Sequence, residues 1–93
     1  MFEYESKHEM RGMQRCDLVN YFIEIGGHAI AANEYRGQDG EDQEWKVVVN
    51  PQESIVMGAL VLPVTVLHIY TKSSVHHSIF VERFRKKFLS AGG

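Results

Sequence analysis

The stretch from Ser73 to Gly93, SSVHHSIFVERFRKKFLSAGG, constrains the fold more than any other part of the chain. Its spacing predicts an amphipathic helix starting near Ser74, with Ser73 or Ser74 as the cap that satisfies free N–H groups of the first turn. Phe80, Val81, Phe84 and Phe88 fall together on that helix, and Glu82 and Arg85 lie far from them. Directly before it comes the most apolar run in the sequence, Ile55–Tyr70. That run is shorter than the about 20 residues a spanning helix needs. It also holds Pro63, His68 and several β-branched residues, so buried strands are expected and a membrane span is not. An apolar helix face beside apolar strands is what closes a small α+β core.

The rest of the chain supplies the other elements. Phe2–Ser6 alternates apolar and polar residues and reads as a short strand, with Lys7–Gly12 as a connection. Gln14–Ile25 has helical spacing, with Leu18, Val19, Phe22 and Ile25 inward and Asp17, Asn20, Tyr21 and Glu24 outward. Gly26-Gly27 stops that helix. His28–Tyr35 reads as one strand between glycines. Arg36–Asp42 is a polar loop whose Asp39-Gly40 pair signals a hairpin. Glu44–Asn50 is the clearest strand, with Trp45, Val47 and Val49 on one side. Ser54–Leu62 and Val64–Thr71 are two further strands, with Pro63 at their boundary and Gly58 at a bulge. The expected fold is a two-layer α+β sandwich over residues 1–93 as one domain. It has a mostly antiparallel sheet of four or five strands with two helices on one face. The order is β-α-β-β-β-β-α, related to a ferredoxin-like plait but lacking its last strand.

Composition bounds the function. Of the 93 residues, 44% are hydrophobic and 24% charged, which excludes a disordered chain. A net charge of −2 gives no general attraction to nucleic acid or acidic lipid. The single cysteine, Cys16, cannot form an internal disulfide, which fits a reducing cytoplasm. The opening, MFEYESKHEM, has no secretory h-region.

No catalytic motif is present, so chemistry rests on clusters. His76 and His77 stand at a helix start, where the macrodipole disfavours imidazolium. His68 and Tyr70 precede them on a strand. These four residues are the candidate ligand-binding set, provided the turn at Lys72–Ser74 brings His68, His76 and His77 together. The structural alternative puts His77 on the apolar face beside Val81 and Phe84, with His76 at its polar edge. No HxH, HxxxH or Cys/His spacing occurs, so neither a metal nor a cofactor is expected. Cys16, at a helix start but without a placed base, is expected to be a buried small hydrophobe. Asp39, Glu41, Asp42 and Glu44 read as a solvated turn. Arg83, Arg85, Lys86 and Lys87 are candidate anion-binding residues, although they spread around the helix instead of forming a stripe.

The residues Ala91-Gly92-Gly93 resemble the C-terminal diglycine of ubiquitin-like sulfur carriers. The resemblance implies a terminal glycine activated as an adenylate and thiocarboxylate, on an extended tail after a strand. Here the pair follows a helix, and the order of elements departs from a β-grasp. Gly92-Gly93 therefore reads as a helix stop.

What remains is an excess of apolar surface. In Val64–Thr71, Thr65, Leu67 and Ile69 point one way and Val64, Val66, His68 and Tyr70 the other. A sheet with helices on one face normally has a polar second face. The surplus points to a homo-oligomer, most simply a dimer joined at Val64, Val66 and Tyr70. The expectation is a self-associating binding or interaction module rather than a stand-alone enzyme. The alternatives are a small enzyme or small-molecule-binding protein with a site at His68, Tyr70, His76 and His77, or an anion or nucleic-acid contact through the basic helix.

Overall fold

The computed structural model describes residues 2–89. In chain order these are β1 (Tyr4–Arg11), α1 (Arg15–Glu24), β2 (His28–Ala31), β3 (Glu34–Gln38), β4 (Glu44–Val49), β5 (Glu53–Met57), β6 (Leu60–Thr71) and α2 (Ser74–Leu89). The strands form one sheet in the order β1-β6-β4-β3-β2, and β5 pairs with β6 off that path. Every pairing is antiparallel. The α+β sandwich is as expected, with six strands in place of four or five. The likeness to a ferredoxin-like plait stops at its two layers. One crossover, through α1, carries the chain from edge strand β1 to edge strand β2, and the rest is a meander ending on α2.

Both helices pack on one core. Leu18, Tyr21 and Phe22 of α1 and Phe80 and Phe84 of α2 are buried with Trp45, Val47, Val49, Leu67 and Ile69 of the sheet. Phe22 stacks on both Phe80 and Phe84, and Trp45 lies 5.1 Å from Phe80, ring centre to ring centre. The indole of Trp45 lies over Gly37, its cross-strand partner, and against Gly27. A side chain at either position would occupy the space the indole fills. Tyr21 joins this core instead of facing solvent, because its ring meets Phe22, Phe84 and Phe88.

Four boundaries differ from the sequence reading, each because tertiary pairing outweighs local pattern. Lys7–Arg11 belongs to β1, which pairs with β6 from Tyr4–Thr71 to Arg11–Val64. The single strand expected over His28–Tyr35 is a hairpin of β2 and β3. Gly58 is not a bulge. It has φ +62° in the two-residue turn between Met57 and Leu60, which is the pattern of a type II′ hairpin. Pro63 lies inside β6 and does not divide it. Its carbonyl accepts from Gly12 N–H, just past the end of β1, so its missing N–H faces an edge where no ladder bond is due.

The turn at Gly58 makes β5 and β6 a protruding arm. Val49 faces Leu67 and Glu53 faces Val64, four steps on one side against three on the other, so one extra residue bulges between β4 and β5. Arg15 closes that bulge. Its guanidinium donates to the carbonyls of Val49 and Asn50 and to Asn33 Oδ1, each at 3.0 Å. Gln52 Oε1 in turn accepts from Arg15 N–H at 2.7 Å, which supplies α1 with a cap that Gln14 does not give. Toward Leu60 from Val64, β6 has no β1 partner, and the described residues, arm included, span 48 × 29 × 22 Å. Val56, Met57, Leu60 and Val61 on the arm are 73%, 52%, 62% and 64% exposed.

Candidate functional site

Strand alternation points Ser6 and His8 of β1 toward the helices, opposite Ile69 and Leu67. Helix α2 brings His77 to the same place, and a chain of hydrogen bonds results. Thr71 Oγ1 donates to the Ser73 carbonyl at 3.2 Å. That leaves it to accept from His77 Nδ1–H at 2.8 Å. His77 Nε2, then unprotonated, accepts from the Ser6 hydroxyl at 2.9 Å, and Ser6 Oγ accepts from His8 Nε2–H at 2.8 Å. With Thr71 donating to Ser73, this order of donors corresponds to the Nδ1–H tautomer of His77 and the Nε2–H tautomer of His8.

This chain forms the floor of a cleft of about 560 Å³ between β1 and α2, lined by Ser6, His77, Ser78, Val81, Glu82, Arg85 and Lys86. Burial lowers the pKa of His8, helped by the positive charge of Arg85 and by His77 and His68. Burial also lowers the pKa of His77, helped by His76. Both rings are therefore held toward the neutral form. The Ser6–His77–Thr71 geometry resembles a nucleophile, base and orienting group. Its third member is a neutral hydroxyl, however, and offers an imidazolium no countercharge. With both nitrogens of His77 and the Ser6 proton already engaged, the arrangement forms a rigid polar floor and not a proton-abstracting dyad.

The other sequence candidates are dispersed. Adjacent residues on a helix point about 100° apart, so His76 leaves the cleft where His77 enters it. His76 is the buried one, 5% exposed, with its ring edge-on to Phe80. This reverses the expected placement of the two rings. His76 Nε2 lies 2.6 Å from Asp39 Oδ2, which also accepts from Arg83 Nη2 at 2.7 Å. The Asp39 side chain is only 13% exposed. The β3–β4 turn is thus clamped to α2 at Asp39 and is not simply a solvated loop. Lys87 lines a separate hollow with Asp17, Tyr21 and Phe88. Of the basic cluster, only Arg85 and Lys86 reach the cleft.

His68 and Tyr70 lie on the opposite face of the sheet, because even-numbered β6 residues point away from the helices. They do not meet His76 and His77. His68 Nδ1 pairs with Glu5 at 2.9 Å, and Lys46 Nζ stands 4.6 Å from the centre of the Tyr70 ring. Burial raises the pKa of the Tyr70 hydroxyl, with Glu5 adding to the effect. Arg36, Lys46 and Lys72 all approach the Phe2 ring. This end of the outer face is charged. Toward the arm it turns apolar: Val66 and Val64 continue into Leu62 and Leu60, whose cross-strand partners are Ile55 and Met57.

Cys16 is exposed, not buried. Among the described residues, no group of three or more His, Cys, Asp or Glu side chains is placed to hold a metal ion, and no helix is long and apolar enough to cross a membrane. Gly92-Gly93 lies outside the described residues. Ser6, His8 and Thr71 carry no site signal in the sequence, where Ser6 ends a short alternating strand and His8 falls in a polar stretch. A family model described as Archaeal MoaD-like protein matches residues 6–93. No curated protein and no solved structure matches the chain.

Proposed function

Since the chain belongs to the archaeal MoaD-like protein family, we propose that this member is a binding module that works as a homodimer joined through the β5–β6 arm. The exposed apolar arm is the observation that carries this reading. A two-stranded hairpin is marginal in water by itself and needs packing on at least one face. The need holds whether or not any other molecule is present, which a second copy of the same chain always meets. The outer face of the arm runs from Leu60 and Met57 to Leu62 and Ile55. Val64, expected in the contact, is already buried at 7% exposed within the single chain and is not available to a partner. Beside it, Glu9 and Arg11 form an ion pair at 2.6 Å, so the margin carries both signs and suits a two-fold partner. Tyr70 falls outside this stripe, among charges, and drops out of the interface. The exposed, unpaired Cys16 fits a reducing cytoplasm as the compartment.

Sedimentation of the protein and of Leu62→Glu across the micromolar range tests the proposal. The expected result is a dimer for the native chain and a monomer for the variant, because a charge is placed in a dry contact. A native monomer throughout, or an unchanged dimer in Leu62→Glu, would sink it.

A second reading draws on the span of the family match, which includes Ala91, Gly92 and Gly93. It is that of a sulfur carrier of the kind those residues resemble. Weighing against it, the segment follows α2, a 16-residue helix, and the β-α-β-β-β-β-β-α order is not a β-grasp. Intact mass after co-expression with an adenylating enzyme separates the readings. The carrier gains the increment of one oxygen replaced by sulfur, and the binding module does not.

A further inference from the structure

We propose that the β1–α2 cleft binds a small organic anion, its carboxylate or phosphate held by Arg85 and its apolar body lying on Val81 above the Ser6–His77 floor. The site is separate from the arm and does not depend on self-association.

Three observations support it. The first is charge. Glu82, Arg85 and Lys86 are the ionised groups on the cleft wall. Lys86 is engaged by Glu82 at 3.2 Å. Arg83, on the next face of α2, is engaged by Asp39. Among the described residues, Arg85 forms no ion pair, and its charge is felt by the His8 ring. The wall therefore carries a net positive charge with a planar guanidinium available, the group best shaped for bidentate recognition of a carboxylate or phosphate.

The second is the floor. Ser6 and His77 reach the cleft already locked by hydrogen bonds on their far sides to His8 and Thr71. They also hydrogen-bond to each other, so a ligand arriving there meets a rigid surface whose donors are already used, and Arg85 is the group left to bind the anion. On β1, Ser6 and His8 face the helices while Glu5 and Glu9 alternate to the opposite face of the sheet, so no β1 carboxylate faces Arg85.

The third is the surface between the charged groups. Val81 and the aliphatic stems of Arg85 and Lys86 make the walls mainly apolar. The hollow, about 560 Å³ and open to solvent along one side, has room for a small organic ligand lying along α2. A bare inorganic anion would leave the apolar wall unused, which is why the ligand is taken to be organic.

The test uses three probes of one shape: benzoate, phenyl phosphate and the neutral benzyl alcohol. Each is titrated into the full chain while the histidine ring resonances are followed by NMR. The expected result is saturable shifts at His8 and His77 with at least one anion, a rise in the apparent pKa of His8 as the Arg85 charge is neutralised, and no saturable shift with benzyl alcohol. Tighter binding of phenyl phosphate assigns the headgroup as phosphate, and tighter binding of benzoate assigns it as carboxylate. Arg85→Gln, an exposed position where folding is not at risk, should weaken binding at least tenfold. Ser6→Ala should weaken it less, through loss of the floor. Absence of a saturable response to both anions overturns the proposal, and so does an unchanged affinity in Arg85→Gln. Neither result bears on the dimer.

Discussion

The guanidinium of Arg15 donates through Nη2 to the main-chain carbonyl of Val49 at 3.0 Å. One side chain at the start of α1 thereby holds the point where β4 gives way to β5, since it also binds the Asn50 carbonyl and Asn33 Oδ1. Arg15→Ala leaves those part-buried acceptors without their cationic donor. The expected loss is about 1.5–3 kcal/mol, the range for hydrogen bonds to charged groups. Arg15→Lys should recover little, because an ammonium cannot reproduce the fork. Urea denaturation gives the loss, and amide exchange across Glu53–Met57 shows whether the arm loosens first.

A second expectation concerns the clamp on the β3–β4 turn. Asp39 Oδ2 accepts from buried His76 and from exposed Arg83. Arg83→Ala should cost under about 1 kcal/mol, as surface ion pairs do. Asp39→Ala should cost about 1–3 kcal/mol, because it strands the buried ring nitrogen of His76. Equal losses in thermal denaturation would mean that the outer pair, not the inner one, holds the turn.

The pH dependence follows from the cleft floor. The pKa values of His8 and His77 are both lowered from the ordinary 6.5 on folding. The unfolded chain therefore binds more protons than the native one as pH falls through that value, and stability rises with pH there. The contribution is complete above about pH 6.5 and is lost as pH drops toward the native pKa values. Melting temperatures from pH 7.5 down to 5 should fall, and the paired change His8→Gln with His77→Gln should flatten the slope. A slope that survives both changes assigns the effect to other groups.

The α+β class, the apolar face of α2 and the inward side of β4 were legible because they rest on periodicity, which a local pattern encodes. Phe80 and Phe84 repeat at helical spacing, and Trp45, Val47 and Val49 alternate, so each element announced the face it buries. The arm was not legible, since Ile55–Leu62 is apolar throughout and a run without alternation hides a turn. Only the positive φ of Gly58 reveals it. The cleft was half legible. His77 and Arg85 stood out as residue types, but their meeting with Ser6 depends on the register of β1 against β6, and register is a property of paired strands. His68 shows the same limit in reverse. It lies close to His76 in sequence, yet strand alternation sends it to the other face of the sheet.

The tightest constraint in the core is at Gly37. Its cross-strand partner is Trp45, and the fully buried indole occupies the space where a side chain at position 37 would begin. Phe22 and Phe80 hold that ring from the helix side, so it has nowhere to retreat. Gly37→Ala should therefore act as overpacking and cost about 1–3 kcal/mol or more. The same change at Gly40 meets only the end of the Gln43 side chain and should be far milder. Chemical denaturation of the two variants side by side checks the contrast. Shrinking the ring in the double variant Gly37→Ala with Trp45→Leu should return part of the loss, because the clash is specific to the indole. If the double variant is as unstable as the sum of its parts, the close approach of Gly37 and Trp45 is not what limits the core.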